Sequence, residues 1–179
     1  MTLLKRIYTI GHSTRTIEEF TSLLSEHRIA RLADVRRVPA SRRYPHFAAD
    51  SLRHTLPPHG ILYEHFEPLG GRREPASTSE NGFWDNEQFR GYADHMASAE
   101  FRAAVDRLLA DSRVTAVLCA EAVPWRCHRG VLADDLLRRG VEVIHILASG
   151  SSRPHALHAR AELKEDRVIY PPEQQTMFG

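Results

Sequence analysis

Cys119, Glu121, Arg126, Cys127, His128 and Arg129 crowd one short stretch, Leu118-Cys119-Ala120-Glu121 and, after a brief gap, Cys127-His128-Arg129-Gly130. A thiol at a helix start among cations has its thiolate stabilised, so Cys127 reads as a candidate nucleophile. The alternative is a partly buried loop thiol. Glu121 suits a general acid or base if its pKa is raised, or else an ion pair with Arg126 or Arg129. Free amides at a helix start together with Arg126, His128 and Arg129 would hold an anion. Cys119 sits in an apolar run, where cysteine usually packs as a small hydrophobe.

Two further groups carry chemistry. Gly11-His12-Ser13 follows the first apolar run, and its residue types suit a second anion pocket with Gly11 and Ser13 against the ligand. His12 would be a donor or catalytic proton carrier there, or a turn histidine bonding a nearby carbonyl. Asp34 and Arg36 end the second run and form either an internal ion pair or part of the ligand site. Tyr44, His46 and Phe47 interleave with Arg42 and Arg43, as in a base-stacking platform or a loop packed over a sheet edge.

The elements that must position these residues follow from periodicity. Strands are predicted at 7–10, 29–35, 61–66, 114–118 and 141–147. Between them, Thr16 and Glu19 form a capping box for a helix burying Ile17, Phe20, Leu23 and Leu24. A short helix is expected at 51–56, and Asp85 or Asn86 caps one with Phe89, Tyr92, Ala93 and Met96 inward. Phe101, Val105, Leu108 and Leu109 mark another, and Val131 to Arg139 a further one closed by Gly140. Pro154 fits the first turn of a last helix reaching Leu163, and Val168 to Tyr170 a small edge strand. Long loops are expected at about 36–60 and 67–84, with a Pro-rich tail at 171–179.

Alternation of strand and helix predicts a single α/β domain over 1–179, a three-layer Rossmann-like fold with a mostly parallel sheet of about five strands and helices on both faces. Right-handed crossovers then send every strand's carboxyl end to one edge, where open α/β sheets bind ligands.

These motifs resemble a known family. Tyr8-Thr9-Ile10-Gly11-His12-Ser13, Asp34-Val35-Arg36 with Pro39 and Ser41, Gly60-Ile61-Leu62-Tyr63, Leu69-Gly70-Gly71, Leu118-Cys119-Ala120-Glu121, Cys127-His128-Arg129 and His145-Ile146 are similar, in order, to the family catalogued as domain of unknown function 488. The resemblance runs from about Tyr8 to the carboxyl-terminal tail. It implies the fold and the site and leaves the reaction open; some members carry a label linking them to DNA repair.

Composition narrows the function classes. Lys plus Arg number 24 against 23 Asp plus Glu, a net charge of +1, so no global field draws nucleic acid or an anionic membrane. Arginine dominance favours bidentate anion recognition. Two cysteines cannot build a disulfide framework, and neither a signal peptide nor a membrane-length apolar run is visible, so a cytoplasmic protein with reduced thiols is expected. No dinucleotide fingerprint, Walker lysine, nucleophile elbow, Cys-x₅-Arg spacing or paired-cysteine zinc pattern occurs, and no cofactor or metal is expected. The expected function is an enzyme for a small anionic, phosphate-bearing substrate such as a nucleotide or a nucleic-acid end; the alternative is a non-catalytic module for nucleic acid or a protein partner. Duplex binding should be weak.

Overall fold

In the computed structural model, which describes residues 5–173, the five apolar runs and the exposed segment Ser151–Pro154 form a six-stranded sheet. Its members are β1 (Arg6–Gly11), β2 (Arg31–Asp34), β3 (Leu62–His65), β4 (Thr115–Cys119), β5 (Glu142–Ala148) and β6 (Ser151–Pro154), in the order β3-β2-β4-β1-β5-β6. The first five run parallel, and β6 returns antiparallel against β5. Every residue of β2 and β4 is buried, as strands covered on both faces require.

Two apolar clusters flank the sheet. On one face Ile7, Ala33, Val117 and Val143 meet α3 (Glu87–His95), α4 (Ala99–Ala110) and α5 (His128–Arg138) through Tyr92, Phe101 and Val131. On the other, Ile10, Leu32, Leu118 and Ile146 meet α1 (Ile17–Glu26) and α2 (Ala49–Thr55) through Phe20, Leu24 and Leu52. This is the three-layer Rossmann-like α/β arrangement. Local signals set the helix starts: Thr16 and Glu19 close both bonds of the capping box, while Asn86 and Ser98 cap α3 and α4. Gly140, at φ +76°, ends α5 in the left-handed conformation that favours glycine.

The expected last helix at Pro154 does not form. Gly150, at φ +65°, turns the chain back into a hairpin, and Pro154 ends the exposed edge strand β6 opposite Ile144. The only large apolar side chains from there to Leu163 are Leu157 and Leu163 itself, both exposed, so a helix would have no face to bury. Val168 and Ile169 form β8, paired with β7 (Glu162–Leu163) in a separate two-stranded ribbon rather than at the edge of the main sheet. Of the Pro-rich tail, 171–173 carry no regular structure, and 174–179 lie outside the described residues.

Candidate functional site

Parallel register brings the ends of β1 and β4 side by side, Gly11 opposite Cys119. Cys127 is the N-cap of α5, with Sγ accepting from the Arg129 amide at 3.4 Å. Strand end and helix start thus bring the two thiols together. Cys127 Sγ donates to Cys119 Sγ across 2.9 Å, and both sulfurs are free thiols. Cys119 is 1% exposed and Cys127 7%.

One proton lies between the sulfurs, so the pair ionises as a unit. Burial opposes charge on Cys119, but the Cys127 thiol, the Arg129 guanidinium and the Glu121 backbone outweigh it and bring the Cys119 pKa down. Donating to Cys119, together with burial, pushes the Cys127 thiol up. That corrects the expectation of a low-pKa Cys127: helix start and cations are present, but a second sulfur takes the charge.

His128 stands on the other side of Cys127, its Nδ1 at 3.5 Å from Sγ. Nε2 bonds the Val35 carbonyl at 3.0 Å, so Nε2 carries the hydrogen and Nδ1 keeps a lone pair toward the thiol. Burial, with Arg129 nearby, lowers the His128 pKa to about 4 and keeps the ring neutral.

Arg129 is 1% exposed and carries no carboxylate partner among the described residues. Nη2 donates to the Ala122 carbonyl at 3.2 Å, whereas Nε and Nη1 have no partner. Room for this guanidinium comes from Gly11, where a Cβ would lie 2.9 Å from Nη1 and 1.7 Å from the Glu121 carbonyl oxygen. Arg15 adds positive charge from the next turn, donating to the Gly11 carbonyl and, at 2.6 Å, to that of Leu147. Its pKa is lowered by burial and by the charge of Arg129. Two crowded guanidinium groups favour an anion between them.

The other expected residues separate from this centre. Asp34 and Arg36 lock into each other, Nε to Oδ1 at 2.9 Å and Nη2 to Oδ2 at 2.5 Å, with Tyr63 donating to Asp34 at 2.7 Å. That is the internal ion pair, and it leaves Arg36 little capacity for a ligand. His12 belongs to the same face, stacked on buried Phe47 at 4.5 Å, and its Nδ1 donates to the Ser13 carbonyl at 2.9 Å. Burial lowers its pKa. The amides of His12 and Ser13 extend the ladder to the carbonyls of Cys119 and Ala120, so those two amides are not free to hold an anion. Phe47, fully buried, cannot serve as a base-stacking platform. Glu121 and Arg126 are exposed, and neither forms an ion pair among the described residues. The carboxyl edge therefore gathers the expected residues but divides them: Cys119, Cys127, His128 and Arg129 on the α5 face, His12, Asp34 and Arg36 on the α2 face.

A cavity of about 640 Å³ adjoins the thiols, with Cys127 and His145 in its wall beside Trp84, Phe89, Trp125 and Arg153. Along it runs a hydrogen-bonded series that sequence reasoning missed. Asp134 accepts from Tyr170 Oη at 2.6 Å and His155 Nε2 at 2.8 Å; His155 Nδ1 then accepts from His145 Nε2 at 2.9 Å, and His145 Nδ1 from Thr9 Oγ1 at 2.6 Å. The carboxylate fixes the direction of each bond. Burial and the neighbouring His155, Arg129 and Arg153 lower the His145 pKa to about 3. Among the described residues, no group of three or more His, Cys, Asp or Glu side chains is placed to hold a metal ion, and no helix is long and apolar enough to cross a membrane.

Fold and site together define a three-layer α/β protein with a thiol pair and a buried arginine at the carboxyl edge of its sheet. The chain belongs to the family described as Domain of unknown function DUF488, whose model matches residues 16–136, more than half of the 179. Neither the curated proteins nor the solved structures contain a match to it.

Proposed function

We propose that the protein is an enzyme that binds a small phosphate-bearing substrate of nucleotide type, its anionic group at Arg129 and Arg15 and its planar part in the aromatic cavity. One observation carries this reading: a guanidinium 1% exposed, with two nitrogens unpartnered and no carboxylate beside it. An unpaired buried charge is costly enough that it needs a counter-ion, and a phosphate oxygen pair matches the guanidinium fork. Cys127 is the candidate nucleophile, since it lines the cavity, and Cys119, to which its S–H already donates, is the group placed to take its proton. His12 stacks on Phe47 and bonds the Ser13 carbonyl, so it is left out of this reading. A small net charge argues against a nucleic-acid module, as does the burial of Phe47.

The chain's two tryptophans, Trp84 and Trp125, both line the cavity, so selectively excited tryptophan fluorescence reports on it. Titration with a nucleoside monophosphate should quench or shift that emission saturably. A short DNA duplex should do so weakly, and less at about 200 mM than at about 50 mM salt. Saturable duplex binding without any nucleotide response would overturn the enzyme reading.

A further inference from the structure

The two sulfurs at 2.9 Å stand less than an ångström beyond the about 2.0 Å of a covalent S–S bond. One belongs to the end of β4 and the other to the residue that caps α5, so the fold itself holds the two sulfurs against each other. Cys127 lines the cavity, whereas Cys119 is sealed behind it. We propose that Cys119 and Cys127 form a reversible dithiol–disulfide centre, oxidised by a small hydroperoxide that enters through the cavity and meets Cys127 first. This assignment is independent of the substrate reading, because it uses only the sulfurs and the route to them.

The chemistry closes with the groups present plus the peroxide. In the singly ionised pair, with Cys119 as the thiolate that accepts the Cys127 S–H, Cys127 Sγ attacks one peroxide oxygen, its proton passes to Cys119, and the O–O bond breaks. The departing hydroxide takes the proton back from Cys119 and leaves as water. Cys119 thiolate then attacks the sulfenic sulfur of Cys127, the S–S bond forms, and hydroxide leaves. Two thiol sulfurs lose two electrons, and the peroxide gains them. A low-molecular-weight thiol reverses the step by exchange. The Arg129 amide at 3.4 Å from Cys127 Sγ and the helix start behind it stabilise negative charge on the attacking sulfur.

Because the chain has two cysteines, an intramolecular disulfide can be only this one. The native protein is treated with hydrogen peroxide, quenched, denatured and alkylated with iodoacetamide. The expected product is a monomer two hydrogens lighter that takes up no label, restored to two labels by dithiothreitol. Cys119→Ser should instead trap Cys127 as sulfenic or sulfinic acid, and Cys127→Ser should leave Cys119 unoxidised behind its burial. Two free thiols after treatment, stepwise oxygen addition in the wild-type chain, or a disulfide between two chains would each overturn the proposal. The wild-type measurement decides it even if a variant fails to fold.

Discussion

Gly11 and Arg129 face each other across the edge of the sheet so closely that a single added carbon would collide with the guanidinium, at 2.9 Å from Nη1. The same carbon would lie 1.7 Å from the backbone oxygen of Glu121, which cannot swing aside as a side chain can. Gly11→Ala should therefore destabilise the protein by about 3 kcal/mol, as overpacking at a rigid site does, and should displace Arg129. Chemical denaturation reads the first effect; a stability within error of wild type would show that the edge is looser than described.

Much of the frame was legible because its determinants are local. The capping box joins Thr16 to Glu19 within one turn, and Gly140 marks the end of α5 where it stands. Asp34 and Arg36, two residues apart, announced their ion pair. The Cys119–Cys127 contact was not legible, because strand end and helix start must first be laid against each other. Sequence reasoning assigned Cys127 its charge from its own neighbours and left out the sulfur that competes for it. Asp134, His155 and Tyr170 were hidden for a related reason: they meet only after the Gly150 hairpin folds the chain back on β5. Pro154 misled because the first turn of a helix and an edge strand tolerate proline equally well.

Asp134 is the acceptor that orients the series along the cavity wall. Asp134→Asn puts an amide donor against the Tyr170 hydroxyl, His155 Nε2 or the His158 amide, all of which donate to the native carboxylate. A loss of about 3 kcal/mol is expected, against about 1 kcal/mol for Tyr170→Phe, which removes one donor. Urea unfolding of the two variants tests this ordering; equal costs would mean that the carboxylate is not the organising group.

Acid should weaken the fold through its buried neutral histidines. His128 and His145 have native pKa values of about 4 and about 3, both lowered first by burial, against an ordinary 6.5. Below pH 6.5 the unfolded chain takes up a proton on each that the native chain refuses, so stability is full above that pH and falls as pH drops toward 4. His128 alone accounts for about 3 kcal/mol across that window. Urea midpoints should fall between pH 7 and pH 5, and His128→Gln should shrink the fall; a midpoint flat over this range would contradict the neutral assignment.

Arg129→Met, followed by calorimetric titration with a nucleoside monophosphate, tests the anion site most directly. Removing a buried charge that lacks a partner leaves the fold close to wild-type stability, so a lost affinity can be read as lost recognition. Wild type should bind, and Arg129→Met should bind at least about tenfold more weakly, a difference of about 1.4 kcal/mol. Equal affinity in the two proteins, or no binding to wild type, would contradict an anion site at Arg129.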